Sequence, residues 1–256
     1  MTAPRPILRE PLFYRAALDT ADEVMLTGDE ANHVKAQRLK PGDGLALFDG
    51  LGLIADGKVQ WVGRREIRIA ILRRRRESPP APRIELYCAV PKGERVAVLL
   101  DMATQLGLSR FAPVRWARSI VDPGARARDR WQRICIEACK QSRRPHVPEI
   151  VATATVEDAA MEARASGALL LLAHPDGGAK SAPTRETTKA ERIALFVGPE
   201  GGLTDDELKT LRDQGAHLVN LGSAILRIET AAIALIATVN AACDGRHGLH
   251  GREIPG

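Results

Sequence analysis

The chain runs to 256 residues, length for one large domain or two modest ones, and its 45% hydrophobic content is enough for ordinary buried cores. No apolar run approaches the ~20 residues that cross a bilayer. Met1 to Glu10 lacks an apolar signal-peptide centre, so a cytoplasmic chain with no membrane partner is expected, and a net charge of +5 favours a polyanionic partner.

Before residue 76 short segments of strand character, 45–48, 53–55, 58–62 and 67–72, are separated by turn signals. In the last of these Ile67, Ile69 and Ile71 alternate with Arg68 and Ala70, which buries one face and wets the other. Several such strands in so short a stretch predict a small β-barrel. Gly50-Leu-Gly-Leu-Ile-Ala55 matches a dinucleotide fingerprint, but Asp56-Gly57 is expected to turn the chain into another strand where that motif needs a helix. The basic run Arg73 to Arg76 and the proline-rich stretch 78–82 mark a boundary, giving domains 1–76 and 77–256.

Beyond the boundary the rhythm becomes strand, helix, strand, helix. Strands are predicted at 84–90, 111–114, 168–173, 193–197 and 218–221, and helices at 94–106, 125–143, 156–166, 204–214 and 229–242. Unbroken apolar runs such as Leu169 to Leu172 belong to strands covered on both faces, so an α/β domain with a mostly parallel sheet is expected. In the second helix Trp131, Ile134, Cys135 and Ala138 recur at helical spacing. Arg126, Arg130, Arg133, Lys140 and Arg144 form a different stripe, interrupted by Glu137, and this is a candidate phosphate-contacting face. The last helix is apolar on almost every side and is expected to be buried all round, within one domain or at a dimer interface. Cys135 and Cys139 lie four apart in one helix with no second pair to complete a metal site, and with Cys88 and Cys243 they read as small buried hydrophobes. His247 and His250 read as part of a frayed terminus, so no metal site is expected.

The most informative stretches are Leu195-Phe-Val-Gly-Pro-Glu-Gly-Gly-Leu-Thr-Asp-Asp-Glu-Leu208 and Leu221-Gly-Ser-Ala-Ile-Leu-Arg-Ile-Glu-Thr-Ala-Ala232. Each joins a strand to a helix through glycines, so two turns can bring bare backbone to one ligand. Such ligands sit beyond the carboxyl ends of the strands in open α/β sheets. Thr204 and Glu207 have the spacing of a capping box that starts the following helix. No Gly-Lys-Ser/Thr follows the first glycines, which argues against a phosphate loop of a hydrolase or kinase.

This pair of motifs resembles the cofactor-binding end of the SPOUT methyltransferases, and specifically the RsmE family, which methylates nitrogen 3 of a uridine in small-subunit ribosomal RNA. The resemblance continues through Lys92-Gly93, Gln105-Leu-Gly107, Arg118-Ser119, Glu137 to Arg143 and Val147-Pro148, and so covers nearly the whole chain. Gln105 stands where the family usually has Glu, and Ile228 where it usually has Thr.

The resemblance implies a PUA-like RNA-binding barrel, with Asn32-His33-Val34 and Arg38 facing RNA, followed by a trefoil-knotted SPOUT domain in a homodimer. It also implies S-adenosylmethionine held by Leu172, His174, Val197, Gly198, Pro199, Gly201, Gly202, Leu221, Gly222, Ile225 and Leu226. Ribosomal RNA, free or in an assembled small subunit, is expected at Arg38, Arg118, Arg130, Arg133, Lys140, Gln141 and Arg144. Methylation at nitrogen 3 must dispose of the imide proton, which calls for a base or for a cation on the developing uracil oxyanion. Arg227 suits the cation role, and Glu229 or Glu200 the base. The alternatives are a SPOUT enzyme acting on another base or a ribose hydroxyl, and an RNA-binding protein without catalysis.

Overall fold

The computed structural model describes residues 10–18, 20–121, 123–124, 127–177 and 189–244, so Arg126, His247 and His250 lie outside the described residues. Two compact units are present: the chain up to Pro79 together with Ile136–Val147, and Pro80–Cys135 together with the chain from Pro148.

The first unit is a five-stranded sheet in the order β1-β3-β4-β5-β2, with β1 at Leu12–Tyr14, β2 at Glu23–Thr27, β3 at Gly44–Phe48, β4 at Leu53–Val62 and β5 at Glu66–Arg76. β1 runs parallel to β3 and the other pairings are antiparallel. Helix α1 (Gly28–Ala36) follows β2 directly. β3 is buried at four successive positions because both of its faces are covered. Leu45 and Leu47 enter a cluster with Phe13, Leu26, Val34, Ile67 and Ile69, while Ala46 and Phe48 enter another with Leu12, Ile54 and Cys139.

Two expectations are corrected here. The segments 53–55 and 58–62 are one strand: Asp56-Gly57 is a register shift within β4, where a Cβ on Gly57 would come 2.7 Å from the Ala70 carbonyl oxygen. The chain reverses earlier, at Asp49, whose Oδ1 accepts from the Leu51 and Leu53 amides at 2.7 and 3.0 Å, with Gly50 and Gly52 at φ 82° and 97°. The strand predicted at 67–72 runs on through Arg73 to Arg76, where Asp56 on the neighbouring strand takes Arg73 at 2.9 Å and Arg75 at 2.6 Å.

The second unit carries a seven-stranded parallel sheet. Its order is β12-β10-β11-β6-β7-β8, with β9 also pairing to β7. The strands are β6 (Arg83–Cys88), β7 (Leu108–Arg115), β8 (Glu149–Ile150), β9 (Ala154–Thr155), β10 (Leu169–Ala173), β11 (Arg192–Val197) and β12 (His217–Val219). The helices are α2 (Arg95–Gln105), α3 (Ala127–Ser142), α4 (Val156–Ala165), α5 (Asp205–Asp213) and α6 (Ile228–Asp244); α3 passes into the first unit from Ile136 onward. The apolar runs of β10 and β11 are buried, as strands covered on both faces require. The capping box at α5 is complete, with Thr204 accepting from the Glu207 amide and Glu207 from the Thr204 amide. Such a cap is worth about 1 kcal/mol and fixes where the first glycine turn ends.

Within a single chain the last helix is buried on one side only. α6 buries Ala232, Leu235, Ile236 and Val239, but Thr230, Ala237 and Ala241 are exposed. All four cysteines are buried, and among the described residues no helix is long and apolar enough to cross a membrane.

Candidate cofactor site

The segments that leave β10, β11 and β12 meet around a cavity of about 340 Å³ at the carboxyl end of the sheet. Its walls are His174 and Pro175 after β10, Val197 to Glu200 with Gly202 and Leu203 after β11, and Asn220 to Leu226 with Ile228 after β12. Both glycine turns therefore face one space. Gly202 and Gly222 have φ of 74° and 120°, where side chains are strained, and a Cβ on Gly222 would meet nothing within 4 Å.

Of the residues expected to hold a cofactor, His174, Val197, Gly198, Pro199, Gly202, Leu221, Gly222, Ile225 and Leu226 line this cavity. Leu172 and Gly201 do not. Leu172 is fully buried in β10, and the bare side of Gly201 faces Arg118, whose Cβ would lie 3.3 Å from an added Cβ. A wall residue that the sequence does not single out is Asn220. Its Nδ2 donates to the Pro175 carbonyl at 2.7 Å and its Oδ1 accepts from the Gly222 amide at 2.7 Å, so it links the segments after β10 and β12. An Asn two residues before a glycine was the available signal, since it favours such turns.

The expected catalytic residues divide. Glu200 and Glu229 both face Arg95, with Nη1 at 3.3 Å from Glu200 Oε1 and 3.8 Å from Glu229 Oε1. Glu200 does not bond loop amides; its partner is this guanidinium. The Glu229 side chain is 13% exposed, and its Oε2 is buried without a hydrogen-bond partner. The Cys88 thiol beneath is raised far above its ordinary range, by burial first and then by Glu229 and Glu200. Arg227 is exposed and outside the cavity wall, although Leu226 and Ile228 on either side line it. Arg95 was not anticipated. Its signal was a cation in the first turn of α2, a position the helix dipole disfavours unless carboxylates lie nearby.

The expected RNA-contacting residues are more dispersed. Arg38, Arg130, Arg133 and Gln141 are exposed and Arg144 is half-buried. Arg130 pairs with Glu94 at 2.7 Å. Lys140 leaves the basic stripe: it is buried, with Nζ at 2.8 Å from Glu30 and 2.7 Å from Glu137, because an isolated ammonium is too costly to bury. Val34 is buried in the first unit's core and so presents no surface, while Asn32 beside it is exposed. Arg118, though exposed, donates from Nη1 to the carbonyl oxygens of Gly201 at 2.8 Å and Leu203 at 3.3 Å.

Residues 77–240 match a family model described as an RNA methyltransferase domain, and residues 26–72 match one described as an RNA methyltransferase PUA domain. Ribosomal RNA small subunit methyltransferase E of Mycobacterium bovis is 34% identical over 240 residues, 89% of this chain and 90% of the relative. The Bacillus subtilis protein of the same name is 27% identical, covering 87% and 91%. A crystal structure of ribosomal RNA small subunit methyltransferase E from Neisseria gonorrhoeae bound to S-adenosyl methionine superposes with a TM-score of 0.81 at 29% identity, covering 91% of this chain and 97% of that one. A Legionella pneumophila putative methyltransferase in complex with the same cofactor gives 0.81 at 27%, covering 92% and 98%.

Proposed function

The chain belongs to the ribosomal RNA small subunit methyltransferase E family, and from that premise we propose that it methylates nitrogen 3 of a uridine in small-subunit ribosomal RNA, using S-adenosylmethionine. The observation that carries this reading is the convergence of both glycine turns on one cavity at the carboxyl end of the parallel sheet. The residues fit the cofactor. Gly202 and Gly222 line the cavity at positive φ, the missing side chain of Gly198 makes room for Leu203, and Leu203, Ile225 and Leu226 offer apolar surface to the uncharged parts of the ligand. When bound, S-adenosylmethionine supplies a methyl group already activated on a sulfonium, so the chain has mainly to bind, align and exclude water.

What remains for side chains is the imide proton. Glu229 is the base in this reading: its buried Oε2 lacks a partner and would take the imide proton, leaving the nitrogen's electron pair free to accept the methyl group as the methyl–sulfur bond breaks and the sulfonium becomes a neutral thioether. Arg95 lies within ion-pair distance of both Glu229 and Glu200. Arg227, exposed beside the cavity wall, is offered to the uracil oxygen that gains negative charge, where a guanidinium gives two aligned donors. Mass-spectrometric mapping of methylated nucleotides in ribosomal RNA, with and without the protein, tests the assignment. A missing methyl at nitrogen 3 of one uridine in the deletion supports it, and loss of a ribose or other base methylation overturns it.

Arg38, Arg130, Arg133, Gln141 and Arg144 belong to the RNA-facing surface in this proposal. Replacing Arg130 and Arg133 by glutamine is expected to make the salt dependence of RNA binding shallower by about 0.7 for each phosphate no longer neutralised. Cofactor affinity is expected to stay unchanged, and an unaltered salt slope would leave both arginines as merely solvated.

The same reading includes a trefoil-knotted path, a cytoplasmic location and a homodimer. For the dimer, Val98 and Met102 on α2 are exposed, and α2 packs beside α6, which exposes Ala237 and Ala241. Replacing Val98 and Met102 together by glutamate is expected to convert a dimer into a monomer in sedimentation equilibrium, with helical content retained. A variant that sediments like the wild type would place the interface elsewhere.

A further inference from the structure

Gly201 was expected to bare its backbone to the cofactor, yet it does not line the cavity, and the reason lies on the opposite face of its loop. The Arg118 side chain lies there, with its Cβ 3.3 Å and its Cδ 3.5 Å from the position of a Gly201 Cβ. From that position Nη1 donates to the Gly201 and Leu203 carbonyl oxygens. The segment that carries Arg118 is itself anchored. The Ala117 amide donates to Glu207 Oε1 at 2.6 Å, and the Ser119 hydroxyl accepts from the Trp116 amide at 3.0 Å. Glu207 Oε2 meanwhile takes the Thr204 amide at 2.8 Å. One buried carboxylate thus joins the start of α5 to the turn after β7, and the glycine loop is held between that junction, the end of β11 and the Arg118 guanidinium.

We infer that Arg118 is a positioning residue for cofactor binding: it braces the first glycine loop from outside and keeps Gly198, Gly202 and Leu203 in the arrangement that walls the cavity. Charge-assisted bonds to carbonyls are stronger than neutral ones, and these two add to the loop's other ties, the Gly202 amide to the Pro199 carbonyl and Glu200 to Arg95. Without the brace, only a fraction of molecules present the competent loop, and apparent affinity falls by that fraction. This inference rests on S-adenosylmethionine being the ligand of the cavity. It takes Arg118 out of the RNA-contacting set.

The test is calorimetric titration of wild type, Arg118→Ala and Arg118→Lys with S-adenosylmethionine, S-adenosylhomocysteine and methylthioadenosine. For Arg118→Ala all three dissociation constants are expected to rise by a similar factor, about tenfold if one loop state in ten is competent. Lysine, able to reach a carbonyl but without the planar fork, is expected to recover part of the loss. Turnover at saturating cofactor and the salt slope of RNA binding are expected to hold, which a general loss of structure would not allow. Weakening confined to the two ligands that carry an amino-acid tail would make Arg118 a direct ligand of the tail carboxylate and overturn the inference. So would unchanged cofactor affinity with a shallower RNA salt slope, the behaviour of a phosphate-binding side chain. If the wild type itself binds none of the three, the cofactor reading fails, and the inference falls with it for that separate reason.

Discussion

Glu229→Gln is expected to lower the single-turnover rate of RNA methylation by about 10²–10⁴-fold, the range for losing a positioned general base, while the dissociation constants for cofactor and RNA change little. The amide keeps the size and planarity of the carboxylate but cannot take a proton from the uracil imide. Glu200 lines the cavity and Glu229 does not, but two features favour Glu229 as the base. The Glu229 side chain is 13% exposed against 36% for Glu200, and Glu229 Oε2 is buried with no hydrogen-bond partner. A desolvated, unpartnered carboxylate oxygen costs folding free energy, and such groups are retained where chemistry uses them. Glu200→Gln is therefore expected to cost much less, chiefly through a loosened hold on Arg95. A loss confined to the rate constant is the signature of an interaction made in the transition state. A Glu229→Gln enzyme with the wild-type single-turnover rate would remove Glu229 from the chemistry, and equal losses in the two variants would mean that the carboxylates act only as a pair through Arg95.

Both glycine turns were legible in the sequence because glycines at the ends of apolar strands are local signals, and the capping box at Thr204 and Glu207 marks the start of the helix to the residue. The relations between loops were not. Arg95 meets Glu200 and Glu229 only because α2, the turn after β11 and the start of α6 converge, at sequence separations no periodicity can reveal. Lys140 shows the converse. Its place in a basic stripe is local and correct, but its burial depends on Glu30, from α1, more than a hundred positions away. Asp56-Gly57 looked like a turn because that dipeptide is one in isolation. Cross-strand ion pairs from Asp56 to Arg73 and Arg75, and the fit of a bare Gly57 against Ala70, turned it instead into an irregularity of a long strand. In each case tertiary contact overrode a local preference that had been read correctly.

Gly222→Val is expected to reduce S-adenosylmethionine affinity by about 100-fold or beyond detection, with the thermal transition shifted only slightly. Gly222 sits at φ 120°, a conformation that side chains rarely adopt, and holding a residue there costs on the order of 1–3 kcal/mol. Valine, branched at Cβ, falls at the upper end, and 1.4 kcal/mol is already about a tenfold change in affinity. The loop escapes this strain by leaving its arrangement, which gives up the Gly222 amide bond to Asn220 and with it the tie to Pro175 after β10. The rest of the fold has little stake in the change, because Gly222 is exposed and an added Cβ would meet nothing within 4 Å. That open space also supplies the control: Gly222→Ala adds no clash, so whatever affinity it loses reports backbone conformation alone. By the same reasoning Gly198→Ala should be milder, since its Cβ would press at 2.3 Å on Leu203 Cδ1, the movable end of a side chain, and Gly198 carries no positive φ. Calorimetry on the three variants should therefore rank the losses as Gly222→Val, then Gly222→Ala, then Gly198→Ala. A folded Gly222→Val protein that binds S-adenosylmethionine as the wild type does would show that the second glycine turn is not part of the cofactor site.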